Sequence, residues 1–196
     1  VATRHHNHAR LTSEALLANK AVMVEKPLGL TPEEIKSIQT ARENSKVFFQ
    51  VGFNRRFAPL AIKAKATLMS IGGPIFMVFR INAGPIPNDS WIHTPDEGGG
   101  RIIGEMCHFI DFARFLADKP ITSVMADSPR SDNGPCDDVT VTLRFDGGGL
   151  ASVVYTSLGD QAFPKENYEI YAGGTVIAID NFRMLTITSG GKNLKT

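Results

Sequence analysis

Apolar and polar positions change their period along this chain, and the changes predict its elements. Ala21-Val22-Met23-Val24 is a short continuous apolar run, the pattern of a parallel strand covered on both faces. Val1-Ala2-Thr3 reads as the tail of a neighbouring strand, and residues 47–51 as a third that closes at Gly52. Helical spacing is expected over 8–18, with Asn7 as its N-cap and Asn19 as a residue that tolerates the left-handed turn after a helix. Thr31-Pro32-Glu33-Glu34 is a capping box with proline at the first helical position, so a second helix should run to about residue 44. Residues 1–52 therefore read as strand, helix, strand, helix, strand, the second half of a doubly wound dinucleotide-binding domain.

The period then changes. A helix at 59–70 and a strand at 75–82 are followed by a proline-punctuated loop over 83–95 that carries the chain's single tryptophan. Beyond the next helix, β-branched and aromatic runs at 121–127, 138–145, 150–157, 167–172, 175–179 and 184–188 are separated by Gly, Pro, Asp and Asn. Asp146-Gly147-Gly148 and Gly173-Gly174 mark tight hairpins. Consecutive strands joined by short turns must be antiparallel. The expected fold class is α/β plus α+β: a partial Rossmann domain over 1–52, followed over 53–196 by a mainly antiparallel open sheet with helices on one face.

Between those regions lies the stretch with the most chemistry. Gly98-Gly99-Gly100 lets backbone take φ > 0 or approach another group closely, and Ile102, Met106, Phe109, Ala113 and Leu116 then recur at helical spacing. Glu105, His108 and Asp111 form a second stripe, in i, i+3 steps about 60° apart around an α-helix. One imidazole between two carboxylates can do acid/base work, although the same pattern also describes a solvated polar face. Separately, Glu25-Lys26-Pro27 ends the apolar run at Val24, and the carboxyl end of such a strand is where open α/β sheets place ligands.

Composition narrows the setting. Against 20 Asp+Glu the chain has 21 Lys+Arg, so no net basic field points to nucleic acid. Cys107 and Cys136 are the only cysteines, too few for a zinc site or disulfide framework, which favours a reducing cytoplasm. No run approaches the roughly 20 apolar residues of a membrane span. The expected protein is soluble and cytoplasmic, with no metal, nucleic-acid or membrane partner. Its start at Val1, in what reads as a strand end, suggests a fragment, and no Gly-x-Gly-x-x-Gly turn occurs in it.

The Glu25-Lys26-Pro27 turn, followed later by the glycine loop and His108-Phe109-Ile110-Asp111, resembles the Gfo/Idh/MocA family of NAD(P)-dependent oxidoreductases. The run from Trp91 to Asp111 is most similar to the oxidoreductase half of its bi-domain members. The resemblance implies hydride transfer between NAD or NADP and a secondary alcohol or carbonyl of a sugar or polyol. It implies catalytic roles for Lys26 and His108, with Asp111 orienting the imidazole. Glu105 would stand in for an aspartate that many relatives carry at the position of Gly104. Thr3, His8, Glu25, Lys26 and Pro27 would border the cofactor, and Asn88, Trp91 and His93 the substrate. Phe53-Asn54-Arg55-Arg56-Phe57 matches the hinge between the two domains, with Arg55 a substrate candidate and one arginine paired to a carboxylate. The second domain would bind substrate and form a homo-oligomer through its open sheet. Alternatives within the same fold are an NAD-assisted lyase or epimerase and a non-catalytic ligand sensor.

Overall fold

The computed structural model describes residues 1–129 and 137–196, and Cys136, expected in a loop, lies outside the described residues. In chain order the elements are α1 (His8–Leu17), β1 (Val22–Val24), α2 (Pro32–Glu43), β2 (Phe49–Val51), α3 (Pro59–Ile71), β3 (Phe76–Asn82), α4 (Cys107–Ala117), β4 (Ile121–Asp127), β5 (Val139–Phe145), β6 (Leu150–Thr156), β7 (Glu166–Ala172), β8 (Thr175–Asp180), β9 (Met184–Ser189) and β10 (Lys192–Lys195). They divide into two compact units, one of residues 1–53 with 87–108, the other of 54–86 with 109–196. The reading from sequence placed a single boundary at 52/53; here the loop and glycine stretch of 87–108 group with the first residues of the chain.

In the first unit, β1 and β2 pair in parallel, Val22 opposite Phe49 and Val24 opposite Val51. Val1 lies on the other side of β1, its amino group on the Met23 carbonyl and its own carbonyl accepting from the Glu25 N–H at 2.9 Å. Ala9, Leu16, Val22, Val24, Ile38 and Ala41 make the core, so one apolar stripe from each helix packs on the strand pair. The start of α2 and the end of α1 follow from local sequence, whereas Asn7, expected as the N-cap of α1, makes no side-chain cap bond and contacts the His6 ring instead. Thr31 accepts the Glu34 N–H at 3.2 Å as N-cap, while the Glu34 carboxylate reaches back to the Leu30 N–H at 2.6 Å. After α1, Asn19 has φ 53°, and the Lys20 and Asn19 N–H groups bond to the Ala15 and Leu16 carbonyls, a Schellman closure.

The second unit is an eight-stranded sheet in the order β10-β9-β8-β7-β3-β6-β5-β4. The expected antiparallel hairpins form within 121–156 and 166–195, but β3 inserts between β6 and β7 and runs parallel to β6. Alternation sorts its faces: Val141, Leu143, Phe145, Ala151, Val153, Tyr155, Tyr168, Ile170, Ile177 and Ile179 are buried, with more exposed residues between them. Phe112 on α4 meets Phe79 and Tyr168 at ring separations of 5.8 and 4.9 Å, and Ala61, Ala64 and Leu68 on α3 are buried too. Strand β10 was not expected, because Lys192-Asn193-Leu194-Lys195 has no buried face. Its backbone ladder to β9 and the two-glycine turn at Gly190 and Gly191, φ 55° and 73°, form it instead. No helix among the described residues is long and apolar enough to cross a membrane.

Candidate active site

The first unit contains the Glu25-Lys26-Pro27 turn and the glycine loop as far as His108, and joins them. Lys26 follows β1 by two residues, and its Nζ donates to the Gly104 carbonyl at 2.9 Å; the Lys26–Pro27 peptide is cis. Gly104 belongs to a turn over Ile102–Met106 that is a π-helix, not the start of an α-helix. A π-turn bonds i to i+5 and recurs at functional sites. It is wider than an α-turn, so the 60° steps predicted from Glu105 to His108 do not apply there. His108, just past this turn, is buried, its ring edge-on to Phe53 at 6.1 Å.

Around Lys26 stand residues the sequence reading treated unevenly. His8 is buried, with Nδ1 2.7 Å from the Pro27 carbonyl and Nε2 3.0 Å from that of Thr3. Each ring nitrogen addresses a backbone carbonyl, so His8 bridges Thr3 to Pro27, the residue after Lys26. Glu25 has its carboxyl over Gly52, where a Cβ would come within 3.0 Å of it. His5, not singled out from sequence, is also buried; its Nδ1 lies 2.7 Å from the Gly98 carbonyl, and its ring is edge-on to Trp91 at 4.9 Å. Burial pushes the His5 imidazole below its ordinary pKa, the bond to Gly98 opposes this, and the charges of Lys26 and His8 push it further down. A carbonyl can only accept, so Nδ1 carries the proton of the neutral ring.

Glu105 is held by Arg101, whose NH2 lies 3.0 Å from Oε2; Arg101 is almost wholly buried. Arg101 was missed by sequence reasoning, although an arginine four residues before a glutamate in a helical run is a recognisable pair. At Gly104 itself, a Cβ would come within 2.8 Å of His5 Cε1, so an aspartate there would require the His5 ring or the turn to shift. Trp91 and His93 are half-buried in a short 3-10 turn capped by Ser90, and the Arg4 guanidinium lies 5.4 Å over the Trp91 ring. Asn88 and Thr3 are exposed.

Two candidates sit in the second unit in structural pairings. Arg55 makes a two-pronged bond to Glu166, with Nε to Oε2 at 3.0 Å, and its guanidinium lies 4.6 Å over the Phe109 ring; the Tyr168 hydroxyl also bonds Glu166. This pair is buried, which takes the Arg55 fork up with protein rather than leaving it for substrate. Asp111 is gripped on both oxygens by Arg56, Nε to Oδ2 at 2.6 Å. Both arginines of the Asn54–Phe57 turn therefore pair with carboxylates, where the sequence suggested one.

Residues 1–53 match the model of an oxidoreductase family with an NAD-binding Rossmann fold, and residues 70–174 match the GFO/IDH/MocA C-terminal domain. The chain belongs to the Gfo/Idh/MocA oxidoreductase family. It is 32% identical over 162 residues to scyllo-inositol 2-dehydrogenase (NAD(+)) of Bacillus subtilis, covering 78% of this chain and 46% of that one. It is 28% identical to levoglucosan dehydrogenase of Pseudarthrobacter phenanthrenivorans, covering 86% of this chain and 50% of that one. An NAD binding oxidoreductase from Klebsiella pneumoniae shares the fold with a TM-score of 0.87 at 20% identity, covering 99% of this chain and 58% of that one. The chain spans about half the length of the curated relatives it matches.

Proposed function

We propose that this chain carries the reacting half of a dehydrogenase that moves a hydride between NAD or NADP and a secondary alcohol or carbonyl of a sugar or polyol. The observation that carries the reading is the bond from Lys26 to the Gly104 carbonyl, which brings the strand-end lysine to the turn just before His108. Membership of an NAD-binding family and relatives named for inositol and levoglucosan support it.

The residues present fit the nicotinamide end of such a cofactor. The ammonium of Lys26 bonds a neutral carbonyl and keeps its charge for a polarised oxygen, while Thr3, His8, Glu25 and Pro27 shape the strand ends beside it. A bound nicotinamide would supply the hydride acceptor or donor. Lys26 would stabilise negative charge developing on the substrate oxygen, and His108 would take or return the hydroxyl proton. Arg101 and Glu105 form a neutral pair that supports the turn rather than a second base.

The test is a pH–rate profile in the intact protein with NAD+ and a polyol. His108→Asn should abolish the limb that rises with pH in the oxidation direction, with a loss on the order of 10²-fold or more in kcat. An unchanged profile would leave His108 with a packing role only, and the reading would fail.

A further inference from the structure

The loop before α1 and the π-turn of 102–106 meet at a point that neither motif explains. The His5 ring occupies the room that any side chain at position 104 would need: a Cβ there would stand 2.8 Å from Cε1 and 3.4 Å from Nδ1. The same ring donates from Nδ1 to Gly98, and Gly98 admits no side chain either, since a Cβ would fall 2.3 Å from the Ile92 carbonyl oxygen. Gly104 in turn presents its carbonyl to Lys26. His5 thus touches both ends of the segment, 98 and 104, that holds the lysine.

We propose that His5 is a positioning residue for Lys26, matched to glycine at 104. The imidazole props the π-turn from beneath and pins the glycine loop to it, and this sets the height of the Gly104 carbonyl on which the ammonium rests. A neutral ring suits the place, because the groups facing it include the Lys26 and His8 side chains, and a further cation there would repel the ammonium. The pairing also accounts for Gly104: with His5 present, only glycine leaves the turn where Lys26 can reach it. The assignment rests on the reading of Lys26 as the catalytic cation.

The test is a cycle of His5→Ala, Gly104→Ala and the double variant in the full chain, read two ways. The first reading is the rate at which acetic anhydride labels Lys26 relative to the other lysines, resolved by peptide mass spectrometry. This needs no turnover. Labelling of Lys26 should rise several-fold in each single variant as the ammonium loses its carbonyl, with His5→Gln, which keeps an N–H for Gly98, close to the parent. The second reading is kinetic: each single change should lower kcat on the order of 10²-fold, the effect of displacing a reacting group by about 1 Å, with KM for the cofactor within about twofold. The double variant should be no worse than His5→Ala alone, because removing the ring frees the room for the methyl group. Unchanged Lys26 labelling in both single variants, or losses that simply add in the double, would overturn the assignment. If labelling moves as expected but no polyol is oxidised, the proposed reaction fails and the positioning role stands. Should His5→Ala not fold, Gly104→Ala against His5→Gln decides the same question.

Discussion

Lys26 in the first unit and Arg55 in the second are both partly or wholly withdrawn from water, yet their partners differ in kind. Arg55 faces a carboxylate in a two-pronged bond, with an aromatic ring beneath it and a tyrosine hydroxyl completing the acceptor's shell. Its charge is cancelled within the fold. Lys26 rests on a single backbone carbonyl, a neutral group that orients the ammonium without neutralising it. A charge left in that condition can act on something else. At about 4 Å and an effective dielectric constant of about 20, a cation and a developing oxyanion attract by about 4 kcal/mol, which corresponds to roughly 10³-fold in rate. Burial alone does not separate the two cations; whether the charge is cancelled does, and the proposed function draws on that difference.

Removing each cation should therefore break different things. Lys26→Ala is expected to lower kcat by about 10³-fold while the melting temperature and the dissociation constant for NADH, measured by fluorescence titration, move little. Equal losses in turnover and cofactor affinity would mean the lysine only anchors the cofactor. In the second unit, Glu166→Ala strands a buried guanidinium and should cost about 3–5 kcal/mol in urea unfolding. Arg55→Met combined with Glu166→Leu should cost less than that single change, its remaining penalty being the Tyr168 hydroxyl left without its acceptor. The comparison would collapse if Arg55→Met raised KM for substrate with no loss of stability, since that is the signature of a binding arginine.

How much of this was legible beforehand depended on distance along the chain. Strands β5 to β8 could be read because alternation reports burial on one face, and the end of α1 and the start of α2 because Asn19, Thr31 and Glu34 act on backbone within a few residues, whereas Asn7, expected as the N-cap of α1, makes no side-chain cap bond. Strand β10 escaped because ladder bonds, not side chains, hold it. The π-turn escaped because glycine and isoleucine fit either kind of helix and no local pattern distinguishes them. His5 lies 93 residues from its partner Gly98, and no local pattern carries that information. Likewise Asp111 reads as His108's neighbour by spacing, whereas its partner in space is Arg56, 55 residues away.

That last pairing separates position from role by a smaller effect. Asp111→Asn removes the charge from a bond with a guanidinium that is about one-third exposed, so stability should fall by only about 1 kcal/mol. If Asp111 also oriented the His108 ring, the pH–rate profile would shift or lose a limb. The pairing with Arg56 predicts that the profile keeps its shape.

The smallest expected signal comes from His5, and its sign is fixed by the direction of its shift. Burial, the largest cause, holds the folded-state pKa below the ordinary 6.5, so between the two values the unfolded chain binds more protons than the folded one. Stability contributed by the neutral ring is therefore fully present above about pH 6.5 and is lost as the pH falls through the folded-state value. Urea unfolding of the parent and of His5→Gln across pH 5 to 8 should show the parent losing stability more steeply on the acid side, with the two curves running parallel above neutrality. Carboxylate titration is common to both proteins and cancels in the difference. A parent that instead lost stability relative to His5→Gln as the pH rose would require a ring that is charged in the folded state, which the carbonyl bond alone would favour and which the neighbouring ammonium of Lys26 opposes.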